Sequence, residues 1–381
     1  MIMNNTLPRL TEQDALEIYQ TSSPHDLFQR GREAVETLHP TDVRTFVVER
    51  NVNYTNVCET YCTFCAFQRK VKDKDSYTLT HDQIDEKIQA LVALGGTQIL
   101  LQGGLHPELP FSFYEEMLGH IKETFPSIHI HGFSPEEIFY FSQLYDMPLR
   151  ELIVKMCEAG LDSIPGAGGE ILVDRVRDII APKKCNTEQW LEVMRQAHAI
   201  GMCTTATMMF GHVESEAERI EHLQRVRELQ DASLAAKEKD PDHGFFTAFI
   251  CWPFQPGSTP LSRLPKYNPQ SGNAKGGKEI LLCGPFEHLR MTALARIYLD
   301  NVPNIQASWV TQGPKIGQMS LKVGCNDMGS LMMEENVVSA AGTTFDMKLQ
   351  QLRDLITTCG YVPVQRNYYY EYLEEPVGQA V

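Results

Sequence analysis

Asn53-Tyr-Thr-Asn-Val-Cys58-Glu-Thr-Tyr-Cys62-Thr-Phe-Cys65 sets three cysteines at spacing C-x3-C-x2-C, directly after the apolar run Thr45-Phe-Val-Val. A β-like run followed by such a loop predicts a strand whose C-terminal end presents soft ligands. Thiolates suit iron–sulfur clusters and zinc, and neighbours on one loop face a common centre. Three is the informative number. A structural zinc site takes four closed ligands, and no fourth Cys or His follows at finger-like spacing. A four-iron cluster on Cys58, Cys62 and Cys65 leaves one iron without a protein ligand, free to bind a reactant. A purely structural or zinc-binding role for the three cysteines stands as the alternative.

Downstream of Thr45, short β-like runs alternate with helical stretches, the signature of a parallel sheet. Eight runs are predicted, at 46–53, 97–102, 128–133, 161–164, 203–208, 245–251, 305–310 and 323–326, the last a poor one. Helix starts between them are well marked. Thr80-x-x-Gln83 and Ser134-Pro135-Glu136-Glu137 have capping-box form, and Thr187 and Ser215 begin two more. Eight strand–helix repeats predict an α/β fold, a (β/α)8 TIM-type barrel whose strand ends pool their loops on one face. Residues 1–44 read as a helical extension, with starts at Thr11 and Ser23-Pro24. Residues 45–345 read as the barrel, and 346–381 as a helix and tail packed on its outside. The segment 257–284, rich in Pro, Gly, Lys and Ser, reads as a long loop on the active face.

The 381 residues are 43% hydrophobic, enough for a sizeable core, and carry a net charge of −15. That charge argues against a nucleic-acid surface. The start, Met-Ile-Met-Asn-Asn-Thr-Leu-Pro, lacks the basic and apolar regions of a signal peptide. No window reaches the ~20 apolar residues of a spanning helix. The seven cysteines outside the loop are singly scattered, as reduced buried thiols are. A reducing cytoplasm and no membrane partner are expected.

Several residues at predicted strand ends invite chemistry, each beside a plainer reading. Gly103-Gly104 lets backbone approach a ligand closely, or simply turns the chain. Gly166-Ala-Gly168-Gly169-Glu170 fails as a dinucleotide fingerprint because Ile171 stands where glycine is needed. Glu170 is expected at the barrel mouth, accepting from ribose hydroxyls, or serves as a dipole-favourable residue of a helix turn. His129 and His131 share a strand face, yet no carboxylate ligands accompany them. His106, His131 and His212 are candidate proton acceptors or substrate contacts. Trp252 and Trp309 either clasp an aromatic substrate or plug the barrel. Glu334-Glu335-Asn336 reads as a solvated helix start or as substrate hydrogen bonding.

Phe64 immediately before Cys65 completes a loop that resembles the cluster loop of radical S-adenosylmethionine (SAM) enzymes. The resemblance implies a [4Fe–4S] cluster whose open iron chelates the amino and carboxylate groups of SAM. One electron then cleaves the sulfonium to methionine and a 5′-deoxyadenosyl radical. It also implies that Phe64, Gly103, Gly104, Ser134 and Glu170 surround this cofactor. Longer stretches narrow the likeness. Cys65-Ala-Phe-Gln-Arg69, Ala159-Gly-Leu-Asp-Ser-Ile-Pro-Gly166, Thr204-Thr-Ala-Thr-Met-Met-Phe-Gly-His-Val213, Phe249-Ile-Cys-Trp-Pro-Phe-Gln-Pro256 and Asn304-Ile-Gln-Ala-Ser-Trp-Val-Thr-Gln-Gly313 resemble the futalosine and deazaflavin-synthase branch. Within it they are most similar to the cyclases of menaquinone biosynthesis. Leu105 and the length of 257–284 depart from the pattern.

For that branch the resemblance implies hydrogen abstraction from the sugar C4′ of dehypoxanthine futalosine and closure onto the attached benzoate ring. Loss of one electron and one proton then restores aromaticity. Sister reactions, aminofutalosine synthesis or deazaflavin formation, share the cluster and barrel and differ in the substrate pocket. The substrate carboxylate needs a cation or amide donors, with Arg69, Lys315 and Gln312 as candidates. Trp252 and Trp309 are the expected aromatic contacts. A reducing donor such as flavodoxin or ferredoxin is implied as partner.

Overall fold

The run Thr204–Phe210 is buried at every position, as a parallel strand covered on both faces requires. The computed structural model describes residues 7–263 and 283–376, so most of 257–284 lies outside the described residues. Among the described residues there are nine strands: β1 (Val43–Val47), β2 (Glu49–Asn53), β3 (Gln98–Gln102), β4 (His129–Gly132), β5 (Thr204–Phe210), β6 (Phe246–Pro253), β7 (Asn304–Gln306), β8 (Asp327–Ser330) and β9 (Val362–Gln365). They form one sheet in the order β5-β6-β7-β8-β1-β9 and another in the order β2-β3-β4. Every pairing between them is parallel. Isolated bridges span both seams. Ser163 pairs with His131 and Ile164 with Thr204 on one side, and Met333 pairs with Arg50 on the other. This is the TIM-type α/β arrangement, its two sheets joined by single bridges rather than by a continuous ladder.

Local sequence explains the helices. Thr11, Thr80, Ser134 and Ser215 each cap a helix with a full capping box. Ser23 caps Pro24–Leu38, with proline at the first position. Thr187 lies one residue inside its helix, because Asn186 is the cap.

The strands depart from expectation in five places. The single run 46–53 is two strands: β1 pairs with β8 and β9, while β2 pairs with β3. The chain changes sheets at Val48. Run 161–164 makes only bridges, and run 305–310 stops at Gln306, where the chain enters the short helix Trp309–Gln312. The eighth strand begins at Asp327, since 321–324 are still turning out of the helix Pro314–Ser320. Finally, the tail adds β9 beside β1 and sends Arg366, Tyr368 and Tyr370 inward to line the central cavity.

A buried ion pair fastens that tail. Arg366 donates to both oxygens of Asp327, Nε at 2.6 Å and Nη2 at 3.1 Å, and Thr45 Oγ1 donates to the same carboxylate at 2.6 Å. Asp327 is 0% exposed and Arg366 2%. β1, β8 and the segment after β9 therefore meet at one charge. Breaking such a pair on one side strands a buried ion, at a cost of about 3–5 kcal/mol. Arg366→Met should lower the unfolding free energy by that amount, measured by denaturant titration of the variant against the parent.

Candidate active site

The loop after β2 is wound by its own polar groups. Cys58 N–H donates to Arg69 O at 2.9 Å and Arg69 N–H to Asn56 O at 2.8 Å, so the loop closes on its own base. Arg69 points into this loop, with Nη1 on the carbonyls of Ala66, Phe67 and Gln68 at 3.2, 3.1 and 2.9 Å and Nε on Asp75 at 2.6 Å. It clamps the cluster loop and does not line the cavity, contrary to its expected place against substrate. Thr60 Oγ1 contacts Cys58 Sγ at 2.9 Å and Cys62 Sγ at 3.6 Å.

Cys58, Cys62 and Cys65 line one cavity of about 420 Å³. Burial pushes the Cys62 thiol up to about 12 and raises Cys65. Metal binding must therefore displace protons from thiols that are neutral in the free protein. Among the described residues no three His, Cys, Asp or Glu side chains are grouped as ligands of a single ion. The donor set instead suits a larger cluster: three thiols on the wall of a roomy cavity. Beside them Gln68 Oε1 is buried without a partner, an acceptor awaiting a donor such as an ammonium group. The residues present fit a cluster carrying SAM.

The glycine turn is required by packing. A Cβ on Gly103 would lie 2.4 Å from the Tyr54 ring, and one on Gly104 2.1 Å from Val57 O and 2.9 Å from Cys58 Cβ. Glu137 fixes this turn from the far side, accepting from Gly103 N–H at 3.0 Å and Tyr54 O–H at 2.8 Å. Ser134, the helix cap, donates to Glu137 at 2.8 Å and lines the cavity. Phe64 and Glu170 line it too. Lys184, which the sequence reading missed, sits 2.7 Å from Glu170 and 5.2 Å from the Phe64 ring centre. Burial raises the Glu170 carboxyl, yet the Lys184 ammonium outweighs it and holds Glu170 below its ordinary value.

The expected catalytic histidines part company. His131 lines the cavity. Its Nδ1 lies 2.7 Å from Ser163 Oγ, and burial drives its ring well below the usual imidazole range. His106 accepts from Glu108 N–H at 3.1 Å and lies off the cavity. His212 is fully buried behind the wall, with Nε2 2.9 Å from Met209 O and Nδ1 3.1 Å from Glu214. Its partner Glu214 also takes Arg219 Nε at 2.8 Å. Burial raises Glu214, but His212 and Arg219 bring it down to about 2. The pair is structural.

Trp252 and Trp309 line the cavity, Trp309 with its Nε1 on Ser330 O at 2.8 Å, whereas Gln312 and Lys315 do not. The rest of the wall was not foreseen. Asn51, Asn53, Gln98 and Gln102 project from β2 and β3 at the two-residue period of strands, and Gln98 Oε1 is buried and unpartnered. The alternation Glu49-Arg-Asn51-Val-Asn53 carried the signal, polar residues inward on a barrel strand. Glu335 also lines the cavity, its carboxylate accepting from the backbone of Val337, Val338 and Ser339. Glu334 turns away to pair with Arg50 and Lys87.

Residues 52–226 match the profile of the Radical SAM superfamily, and 242–379 that of the CofH/MqnC C-terminal region. The cyclic dehypoxanthine futalosine synthase of Halalkalibacterium halodurans is 42% identical over 95% of this chain and 91% of its own length. The 5-amino-6-(D-ribitylamino)uracil–L-tyrosine 4-hydroxyphenyl transferase of Methanopyrus kandleri is 39% identical over 86% of this chain and 84% of its own. Among solved structures, methylornithine synthase superposes with a TM-score of 0.65 at 17% identity, covering 93% of this chain and 94% of that one. This last likeness concerns the fold.

Two outcomes test the site. Gly104→Ala drives a methyl group into the cluster loop, so anaerobic reconstitution should load at least about tenfold less iron and sulfide than the parent, by chemical analysis. For the structural pair, the lowered carboxyl of Glu214 stabilises fully above its ordinary 4.5 and loses that contribution as pH falls toward about 2. The stability gap between parent and Glu214→Gln, from denaturant titrations, should narrow over that window.

Proposed function

The chain belongs to the radical SAM superfamily, in the branch that carries the CofH/MqnC C-terminal region, and from that premise we propose that it closes dehypoxanthine futalosine to its cyclic form. The carrying observation is a single cavity that joins three thiols and the Gly103-Gly104 turn to a wall of carboxamides. Enzymes of the superfamily use a [4Fe–4S] cluster and SAM. When bound at Cys58, Cys62 and Cys65, the pair supplies one electron and the 5′-deoxyadenosyl radical that takes hydrogen from the sugar C4′.

The residues then have distinct tasks. Gly103 and Gly104 let backbone approach the amino acid part of SAM, and Gln68 Oε1 accepts from its ammonium group. Phe64, Ser134 and Glu170 border the same end. Glu170, held ionised by Lys184, accepts from ribose hydroxyls. Asn51, Asn53, Gln98 and Gln102 offer donors and acceptors to the substrate sugar. Among the described residues the cations lining the cavity, Lys184 and Arg366, are each engaged by a carboxylate. In this reading the benzoate carboxylate is met by the carboxamide N–H groups of the cavity wall, since Arg69, Lys315 and Gln312 do not line it. Trp252 and Trp309 lie against the aromatic ring and exclude water, which protects a radical from side reactions. His131 Nε2 accepts the final proton. The working state further calls for a reducing compartment, the cytoplasm, with a flavodoxin- or ferredoxin-like donor and no nucleic-acid or membrane partner. No helix among the described residues is long and apolar enough to cross a membrane.

Anaerobic turnover with SAM, dithionite and dehypoxanthine futalosine tests the assignment. Mass spectrometry should find a product two mass units lighter than substrate, formed with 5′-deoxyadenosine. Replacing any of the three loop cysteines by Ala should abolish both. Formation of 5′-deoxyadenosine beside unchanged substrate would transfer the enzyme to a sister reaction.

A further inference from the structure

A reaction that ends by releasing a proton against the cavity wall needs a way to dispose of it. We propose that Ser163 and His129 form a proton relay that carries this proton from His131 to solvent. The inference rests on the cyclase reading above, since it presumes that a substrate proton leaves in the cavity.

Three rings and hydroxyls line up. Ser163 Oγ lies 2.7 Å from His131 Nδ1 and 2.6 Å from His129 Nε2, so one hydroxyl bridges two imidazoles. Strand alternation puts His129 and His131 on one face of β4, and the bridge between His131 and Ser163 brings the hydroxyl to both. His131 and Ser163 are buried, at 6% and 0% exposure, while His129 is only half-buried. The path therefore runs from cavity wall to surface. Tyr368 packs under both rings, stacked on His129 at 4.3 Å and tilted against His131 at 4.9 Å, and fixes their planes.

The relay takes tautomers that the hydrogen-bond network allows. Thr205 Oγ1 accepts from Gly166 N–H at 3.0 Å, so its own proton is free to point at His131 Nε2, 3.5 Å away. That nitrogen is then an acceptor, and Nδ1 carries the hydrogen toward Ser163. Ser163 in turn donates to His129 Nε2, which leaves the N–H of His129 on Nδ1. Burial keeps both rings neutral, His129 down to about 4, so each carries a single N–H at rest. A proton arriving at His131 Nε2 releases the one on Nδ1 to Ser163. The hydroxyl passes its own to His129 Nε2, and His129 gives up the proton of Nδ1 to water. One proton enters and one leaves. Ser163 and His129 touch no reacting atom and act through His131.

The experiment uses the reconstituted enzyme and two variants, Ser163→Ala and His129→Gln, the latter at a half-buried site. The ratio of cyclised product to 5′-deoxyadenosine is read in H2O and D2O. Relay variants should still cleave SAM at the parent rate but yield at least about fivefold less product per cleavage. They should gain a solvent isotope effect of about 2 or more that the parent lacks, and added imidazole should restore part of the yield. Parent-like yields without an isotope effect would overturn the relay. So would a joint loss of SAM cleavage and yield that imidazole does not restore, since that marks a structural role. A second readout is independent of turnover. In the cluster-free protein, 15N-histidine spectra should show both rings neutral at pH 7, with the His131 signals displaced in Ser163→Ala. An imidazolium at either ring would overturn the proposal. Absence of cyclised product from the parent enzyme would instead refute the cyclase reading, and the relay with it.

Discussion

One buried carboxylate sets the distances on which the site depends. Glu137 takes the Tyr54 hydroxyl, the Gly103 amide and the Ser134 amide and hydroxyl. These come from the ends of β2, β3 and β4. Strand ends in a parallel barrel have no ladder to hold them once pairing stops, so their loops need a common anchor. Burial raises the Glu137 carboxyl against the pull of its donors. A carboxylate that collects four donors is a stiff hub, because each bond is strong in a dry setting. The glycine turn lies between this hub and the thiol loop: a Cβ on Gly103 would strike Tyr54, which the hub holds, and one on Gly104 would strike the thiol loop itself at Val57 and Cys58.

The cavity wall follows from barrel geometry. Inward positions of a small barrel are ordinarily apolar packing, yet here β2 and β3 turn Glu49, Asn51, Asn53, Gln98 and Gln102 inward. Desolvating so many amides costs stability unless each finds a partner. Some do: Gln98 donates to Glu49 and Asn336 to Asn53. Orphaned acceptors such as Gln68 Oε1 and Gln98 Oε1 are the part of this cost that a ligand offsets. Buried unsatisfied groups clustered in a cavity thus act as a record of what the cavity holds.

Much of this was legible in the chain itself, and the failures have physical causes. Caps at Thr11, Thr80, Ser134 and Ser215 are local, so spacing alone reveals them. The thiol loop is equally local. β8 is Asp-Met-Gly-Ser, poor in β propensity, and it exists only through long-range pairing to β1 and β7. β9 contains Pro363, which reads as a strand breaker, and it survives at a sheet edge where a missing N–H is tolerated. Histidines at predicted strand ends looked alike in sequence. Only tertiary contacts distinguish His131, turned inward, from His212, held by Glu214 behind the wall. Arg69 was misplaced for a related reason: a cation next to a ligand loop can serve the loop as readily as the ligand.

The tail gives the molecule an order of assembly. The thiols lie within the first 65 residues, but Arg366, Tyr368 and Tyr370, which line the same cavity, come far later in the sequence. During synthesis at about 5–20 residues per second, the thiol loop emerges many seconds before these three side chains. For that interval the thiols lack side chains that line the finished cavity. A nascent chain is therefore the form in which the thiols are most exposed to oxidants and stray metals.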